Sequence, residues 1–266
     1  MGMKIWKYDE LPEKNGSLVM LYGESGVGKS VSSLQTAECP ILYIMTEPRD
    51  VKNFVRATGR DDIDVDFVFY EGWDSLIEFT LDHSNFEKYN TIILDSVSHL
   101  ISINFSDEIL EESYEALDAK KKADKAMTMR AKMSQEGYGT LATQMLRFTN
   151  AISKLTQSGK VVIFLARVES NPKYNRSYSA APSLKGQEYS KNFPGFFDFI
   201  GLVETRSKEG LTIYPPSVSF EGDGSFMAKW TGLRPEGGVA NKVLNVDKIL
   251  KASRGSNGKK AAEVAE

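Results

Sequence analysis

Eight residues near the N-terminus, GESGVGKS at 23–30, carry the clearest chemistry in the chain. They fit the pattern G-x-x-x-x-G-K-[ST], whose spacing has a physical reason. Gly23, Gly26 and Gly28 let the backbone curl so that successive N–H groups, those of Glu24, Ser25 and Val27 among them, face an anion. A helix opening over Lys29, Ser30 and Val31 adds the partial positive charge of its N-terminus. In such a site the Lys29 ammonium reaches the β- and γ-phosphates and the Ser30 hydroxyl binds Mg²⁺. The stretch predicts a nucleoside-triphosphate site.

Such a site also needs a carboxylate on a neighbouring strand. TIILDS at 91–96 supplies Asp95 at the C-terminal tip of an apolar run, where ligands of open α/β sheets gather. The competing reading makes Asp95 a cap for the helix that follows. An N/T-K-x-D element, the usual guanine reader, is absent, and NKVL at 241–244 lacks its Asp. ATP is therefore the expected nucleotide.

The elements that must position these groups are legible as alternating texture. Short apolar runs at 17–23, 41–45, 65–70, 91–96, 161–166 and 199–205 alternate with helical stretches. That predicts an α/β fold, a mostly parallel twisted sheet with helices on both faces. Leu141, Met145, Phe148, Ile152 and Leu155 form one stripe of a helix at 140–157, best read as core. Residues 106–136 are helical in pattern, acidic first and basic later, the order that suits a solvated helix dipole. After residue 206, Gly and Pro turns predict an antiparallel C-terminal edge extension. Residues 1–250 are expected to form one domain with its core at about 15–235, and 251–266 a flexible tail.

Composition excludes several classes. With 266 residues, one cysteine (Cys39) and two histidines, the chain has no internal disulfide, and a structural zinc site is not expected. No apolar run approaches the roughly 18 residues of a membrane span. No signal peptide opens the sequence, so a cytoplasmic location is expected. The net charge of −3 offers no global attraction for nucleic acid, so any such contact must be local.

The order of these parts resembles the RecA-like P-loop ATPase core over residues 15–235. It is most similar to the short single-domain RecA-like proteins of bacteriophages, which are associated with single-strand annealing and recombination. The resemblance implies that Glu47, in IMTEPRD, orients or deprotonates the attacking water, as a carboxylate at a strand tip can do. It also implies homo-oligomers, filament or ring, with ATP and Mg²⁺ at subunit interfaces, and a single-strand-binding protein as a candidate partner. Two departures stand out. Arg167 follows VVIFLA where RecA proteins carry a Gln that senses the γ-phosphate; as a catalytic candidate it is open to touching the γ-phosphate itself or to pairing with Glu47 or Asp95. In AKWTGLRP, Lys229 and Arg234 are the candidates for cations acting on a neighbouring subunit, with Trp230 and Thr231 interrupting the Lys-x-Arg element of the hexameric relatives.

The resemblance places a second DNA-binding loop after Arg167. Residues 168–193 hold four cations against two acids, a net +2, with aromatics interleaved. Cations on phosphates and rings on bases hold unpaired strands without sequence preference. The candidates for single-stranded DNA are Lys173, Tyr174, Arg176, Tyr178, Lys185, Tyr189 and Lys191, with Tyr138 in a first loop at 137–139. The resulting expectation is a DNA-stimulated ATPase of phage-type recombination. The alternatives are a nucleotide-gated assembly or signalling ATPase with a protein partner, or a DNA motor. A small-molecule kinase is disfavoured by the lack of an Arg-rich lid.

Overall fold

The apolar runs become strands where the sequence places them. In the computed structural model, which describes Lys7 and residues 16–60, 62–115 and 133–254, the strands are β1 (Ser17–Gly23), β2 (Ile41–Met45), β3 (Val65–Phe69), β4 (Thr91–Asp95), β5 (Val161–Ser170), β6 (Ala180–Pro182), β7 (Phe199–Lys208), β8 (Leu211–Ser219), β9 (Lys229–Trp230) and β10 (Lys242–Val243). The main sheet runs β10-β8-β7-β1-β5-β4-β2-β3. From β7 to β3 every neighbouring pair is parallel. β8 and β9 pair antiparallel with β7, and β10 with β8, which makes the expected edge extension.

The helices are α1 (Lys29–Thr36), α2 (Val51–Arg56), α3 (Trp73–Leu81), α4 (Val97–His99), α5 (Phe105–Glu115), α6 (Gln135–Ser153), α7 (Gln187–Asn192) and α8 (Val246–Ser253). A π-helical turn, Leu100–Asn104, joins α4 to α5. Alternation along β1 sorts them into two layers. Leu18, Met20 and Tyr22 face α3 to α7, while Val19 and Leu21 face α1, α2 and α8. Strands covered on both faces need apolar residues at nearly every position, which is why the runs of β1, β2, β4 and the first six residues of β5 are continuous. The edge strand β3 admits Asp66 and leaves Phe69 exposed. The stripe Leu141, Met145, Phe148, Ile152 and Leu155 is buried in the first layer.

Three expectations change, and two lie outside the described residues. Gly137–Gly139 lie in the first turn of α6, capped by the Ser134 side chain accepting from the Gly137 N–H, and do not form a loop. The segment after Arg167 is not one long loop either. β5 continues to Ser170, β6 folds back on it, and α7 packs on α6. The last helix runs to Ser253, past the expected boundary at 250. The basic half of the 106–136 stretch and residues 255–266 lie outside the described residues.

Candidate nucleotide site

The parallel strands deliver β1, β2, β4 and β5 to one sheet edge, and their C-terminal ends frame a cavity of about 920 Å³. That is the size and position of a ligand crevice in an open α/β sheet. Gly26, Gly28, Lys29, Ser30, Asp95 and Arg167 are among its walls.

The glycines have different reasons. Gly26 and Gly28 adopt φ of +79° and +96°, the left-handed region that favours glycine. Gly23 is set by packing, because a Cβ there would meet the Val203 carbonyl oxygen of β7 at 2.2 Å. Glu24, Ser25 and Gly26 are exposed at the rim. The Val27 side chain is buried in the apolar layer, leaving its backbone to the cradle, and Val31 packs beside it. The Lys29 ammonium donates to the Gly23 carbonyl at 2.9 Å and the Glu24 carbonyl at 2.7 Å. Burial lowers its pKa to about 8, against the pull of Asp95.

Asp95 ends β4 and is almost fully buried. Tyr43 on β2 donates its hydroxyl to Asp95 Oδ2 at 2.6 Å, in the apolar layer that pushes the phenol pKa up, with the Asp95 charge adding to it. Ser96, not Asp95, caps α4, accepting from the His99 N–H at 3.2 Å. The same Ser96 hydroxyl donates to Glu47 Oε1 at 2.7 Å. Burial disfavours the charged form of Glu47, but the bonds from Ser96 and Arg49 outweigh it and hold its pKa below the ordinary range. Glu47 therefore stands at the cavity wall as a carboxylate, with β5 and β4 between its strand and that of the glycine-rich loop.

Arg49 and Tyr43 were not among the sequence candidates. Arg49 Nη1 lies 2.9 Å from Asp95 Oδ2 and 3.0 Å from Ser30 Oγ, and Nη2 lies 3.0 Å from Glu47 Oε2. The available signal was its place two residues after Glu47 in a strand-tip turn. These distances also test the fit of a metal. One cationic nitrogen already reaches both Ser30 and Asp95, so a cation fits between them. Among the described residues no three His, Cys, Asp or Glu side chains converge, so a Mg²⁺ held by Ser30 and Asp95 would need further oxygens from phosphate and water.

Arg167 lines the cavity but is exposed, and the pairing with Glu47 or Asp95 open to it falls to Arg49. Tyr214 on β8 overhangs the loop, its ring 3.0 Å from where a Gly28 Cβ would stand. Lys229 donates to the Pro194 carbonyl at 2.9 Å, and Arg234 pairs with Glu221 at 2.6 Å, both outside the cavity.

The DNA candidates divide. Lys173, Arg176 and Lys191 are exposed, Tyr174 is half-buried with the Lys173 ammonium 5.2 Å from its ring centroid, and Tyr138 is exposed at the start of α6. The Tyr138 carbonyl lies against Gly186, so the two candidate regions adjoin. Lys185 donates to Ser106 at 3.1 Å, and Tyr178 packs against the core. Tyr189 is a correction: it is fully buried beside Thr149, with Phe193 next to it, and offers no ring face to a base.

The fold and the site together define a P-loop ATPase domain. Residues 15–231 match the AAA domain family, and the chain belongs to it. No match was found among curated proteins. Among solved structures, the flagellar accessory protein FlaH from Methanocaldococcus jannaschii is similar over 80% of this chain and 82% of its own, at 12% identity and a TM-score of 0.40. No helix among the described residues is long and apolar enough to cross a membrane.

Proposed function

We propose that this chain is an ATP-hydrolysing, single-stranded-DNA-binding protein of phage-type recombination, acting as a homo-oligomer in annealing or strand exchange. The observation that carries the ATPase half is the convergence of Lys29, Ser30, Asp95 and Glu47 on one cavity. Lys29 turns from its own loop carbonyls to the β- and γ-phosphates. Ser30 and Asp95 hold Mg²⁺, which supplies charge neutralisation at the phosphates when bound. Glu47, ionised and fixed by Ser96, orients water toward the γ-phosphate.

The DNA half is supported by the exposure of Lys173, Arg176, Lys191 and Tyr138, with Tyr174 half-buried under the Lys173 ammonium. A second reading, a nucleotide-gated assembly ATPase with a protein partner, gains from the burial of Tyr189 and Phe193, which removes two rings from the DNA surface. ATP hydrolysis with and without single-stranded DNA, with Lys29→Ala as the blank, separates the two. Stimulation by DNA that vanishes in Lys29→Ala supports recombination. Hydrolysis indifferent to DNA, with no DNA bound in a non-hydrolysable analogue, sinks it in favour of the protein partner.

A further inference from the structure

Among the described residues Arg49 is the one cation that touches three groups of the nucleotide site at once, and it touches them in a way none of their functions can use. Its Nη1 donates to Asp95 Oδ2 at 2.9 Å and to Ser30 Oγ at 3.0 Å. Its Nη2 donates to Glu47 Oε2 at 3.0 Å. The first two oxygens are those that would hold a divalent ion, and the third would address the attacking water. A Mg²⁺ held by Ser30 and Asp95 would need the same two oxygens that Arg49 Nη1 now occupies. Two cations in that space repel strongly, so the guanidinium and the metal exclude each other.

We propose that Arg49 is a built-in competitor for the metal: it keeps the resting site latched until a metal–nucleotide complex displaces it, and its departure releases Glu47 for the water. This inference rests on the reading of the cavity as a metal–nucleotide site.

The surroundings make the displacement feasible. Arg49 reaches inward from the turn between β2 and α2, with its side chain 32% exposed and solvent behind it. Neither carboxylate is stranded when it leaves. Asp95 keeps the Tyr43 hydroxyl at 2.6 Å, and Glu47 keeps the Ser96 hydroxyl at 2.7 Å. The turn itself is held without the guanidinium, because Asp50 caps α2 by accepting from the Asn53 N–H at 3.1 Å. A planar fork can span the three oxygens, whereas a lysine ammonium would satisfy only part of the set.

The test reads metal binding directly, through the paramagnetic resonance signal of free Mn²⁺ titrated into the full chain with saturating ADP. If the latch holds about nine resting molecules in ten, apparent metal affinity is cut to about a tenth. Arg49→Gln is then expected to lower the half-saturating Mn²⁺ concentration by about tenfold, and Arg49→Lys by less. An unchanged or raised half-saturation in both variants overturns the proposal. So does a loss of ADP affinity without metal that matches the loss with metal, which would make Arg49 a plain phosphate anchor. Should Arg49→Gln fail to fold, judged by its thermal melt, Arg49→Lys decides alone by the direction of its shift. If the wild-type chain binds neither ADP nor ATP, the nucleotide-site reading fails first and takes this proposal with it, which is a different result from binding with an unmoved metal curve.

Discussion

At the scale of single residues, the site is governed by how each polar group is satisfied before any ligand arrives. Lys29 rests on two carbonyls of its own loop with its pKa lowered to about 8 by burial. Phosphate favours the charged form, so nucleotide affinity is expected to be flat below pH 8. Above it, affinity should fall by up to about tenfold per pH unit, with a proton taken up on binding. Calorimetry in two buffers of different ionisation enthalpy between pH 7 and 9 would show that uptake, and a flat profile would contradict it. Gly23 makes a separate prediction. Its Cβ would collide with the Val203 carbonyl oxygen, so Gly23→Ala should cost about 1–3 kcal/mol in urea unfolding. At Gly26 nothing stands within 4 Å, so Gly26→Ala pays only for its positive φ, about 1 kcal/mol. The glycine spacing was readable in the sequence, but the two reasons were not, because the neighbour of Gly23 is a strand 180 positions along the chain.

At the scale of elements, the sheet edge is tied to the segment after Arg167 by one buried hydroxyl. Ser98 on α4 accepts from the Arg167 N–H at 2.9 Å and donates to the Ser183 carbonyl at 2.8 Å. Ser183 returns a bond from its N–H to the Arg167 carbonyl at 2.7 Å. α4 starts at Val97, two residues after Asp95, so under the proposed function a shift of Asp95 would be handed through Ser98 to the ends of β5 and β6. Ser98→Ala leaves an N–H and a carbonyl without their partner and should cost about 1–3 kcal/mol of stability. Under the proposed function it should also shrink, several-fold, the gain in DNA affinity that ATP confers. Fluorescence anisotropy with and without a non-hydrolysable analogue measures that gain, and an undiminished gain would remove Ser98 from the coupling. The strands themselves were legible because burial on both faces demands unbroken apolar runs. Their extensions were not: β5 is buried from Val161 to Ala166 and turns polar through Ser170, where helices no longer cover it. The pairing of Tyr43 with Asp95 and of Arg49 with Ser30 is equally invisible, since each joins groups brought together only by the order of the strands. Tyr189 was misread for the same reason, its neighbour Thr149 lying on a helix that local pattern does not connect to it.

At the scale of the whole molecule, charge decides where a nucleic acid can approach. The chain carries a net −3, so a polyanion is repelled on average and held only where cations are grouped. Lys173, Arg176 and Lys191 are exposed cations of the segment from the end of β5 to the end of α7, whose two ends are drawn together by the Asn175 side chain donating to the Ser190 carbonyl at 2.9 Å. α7 packs on α6 and sets Gly186 near the carbonyl of Tyr138, 48 positions earlier, a proximity that belongs to the fold and not to local sequence. Each cation that neutralises a phosphate of a single strand contributes about 0.7 to the slope of log affinity against log salt. Lys173→Glu combined with Arg176→Glu should therefore weaken single-stranded DNA binding at 0.1 M salt and flatten that slope by about 1.4. If affinity fell with the slope unchanged, the two cations would be acting on the shape of the hairpin and not on phosphate. If the wild-type chain showed no salt-dependent DNA binding with ATP present, this surface would belong to a protein, and the same double reversal should then abolish that partner's binding while leaving no effect on DNA to explain.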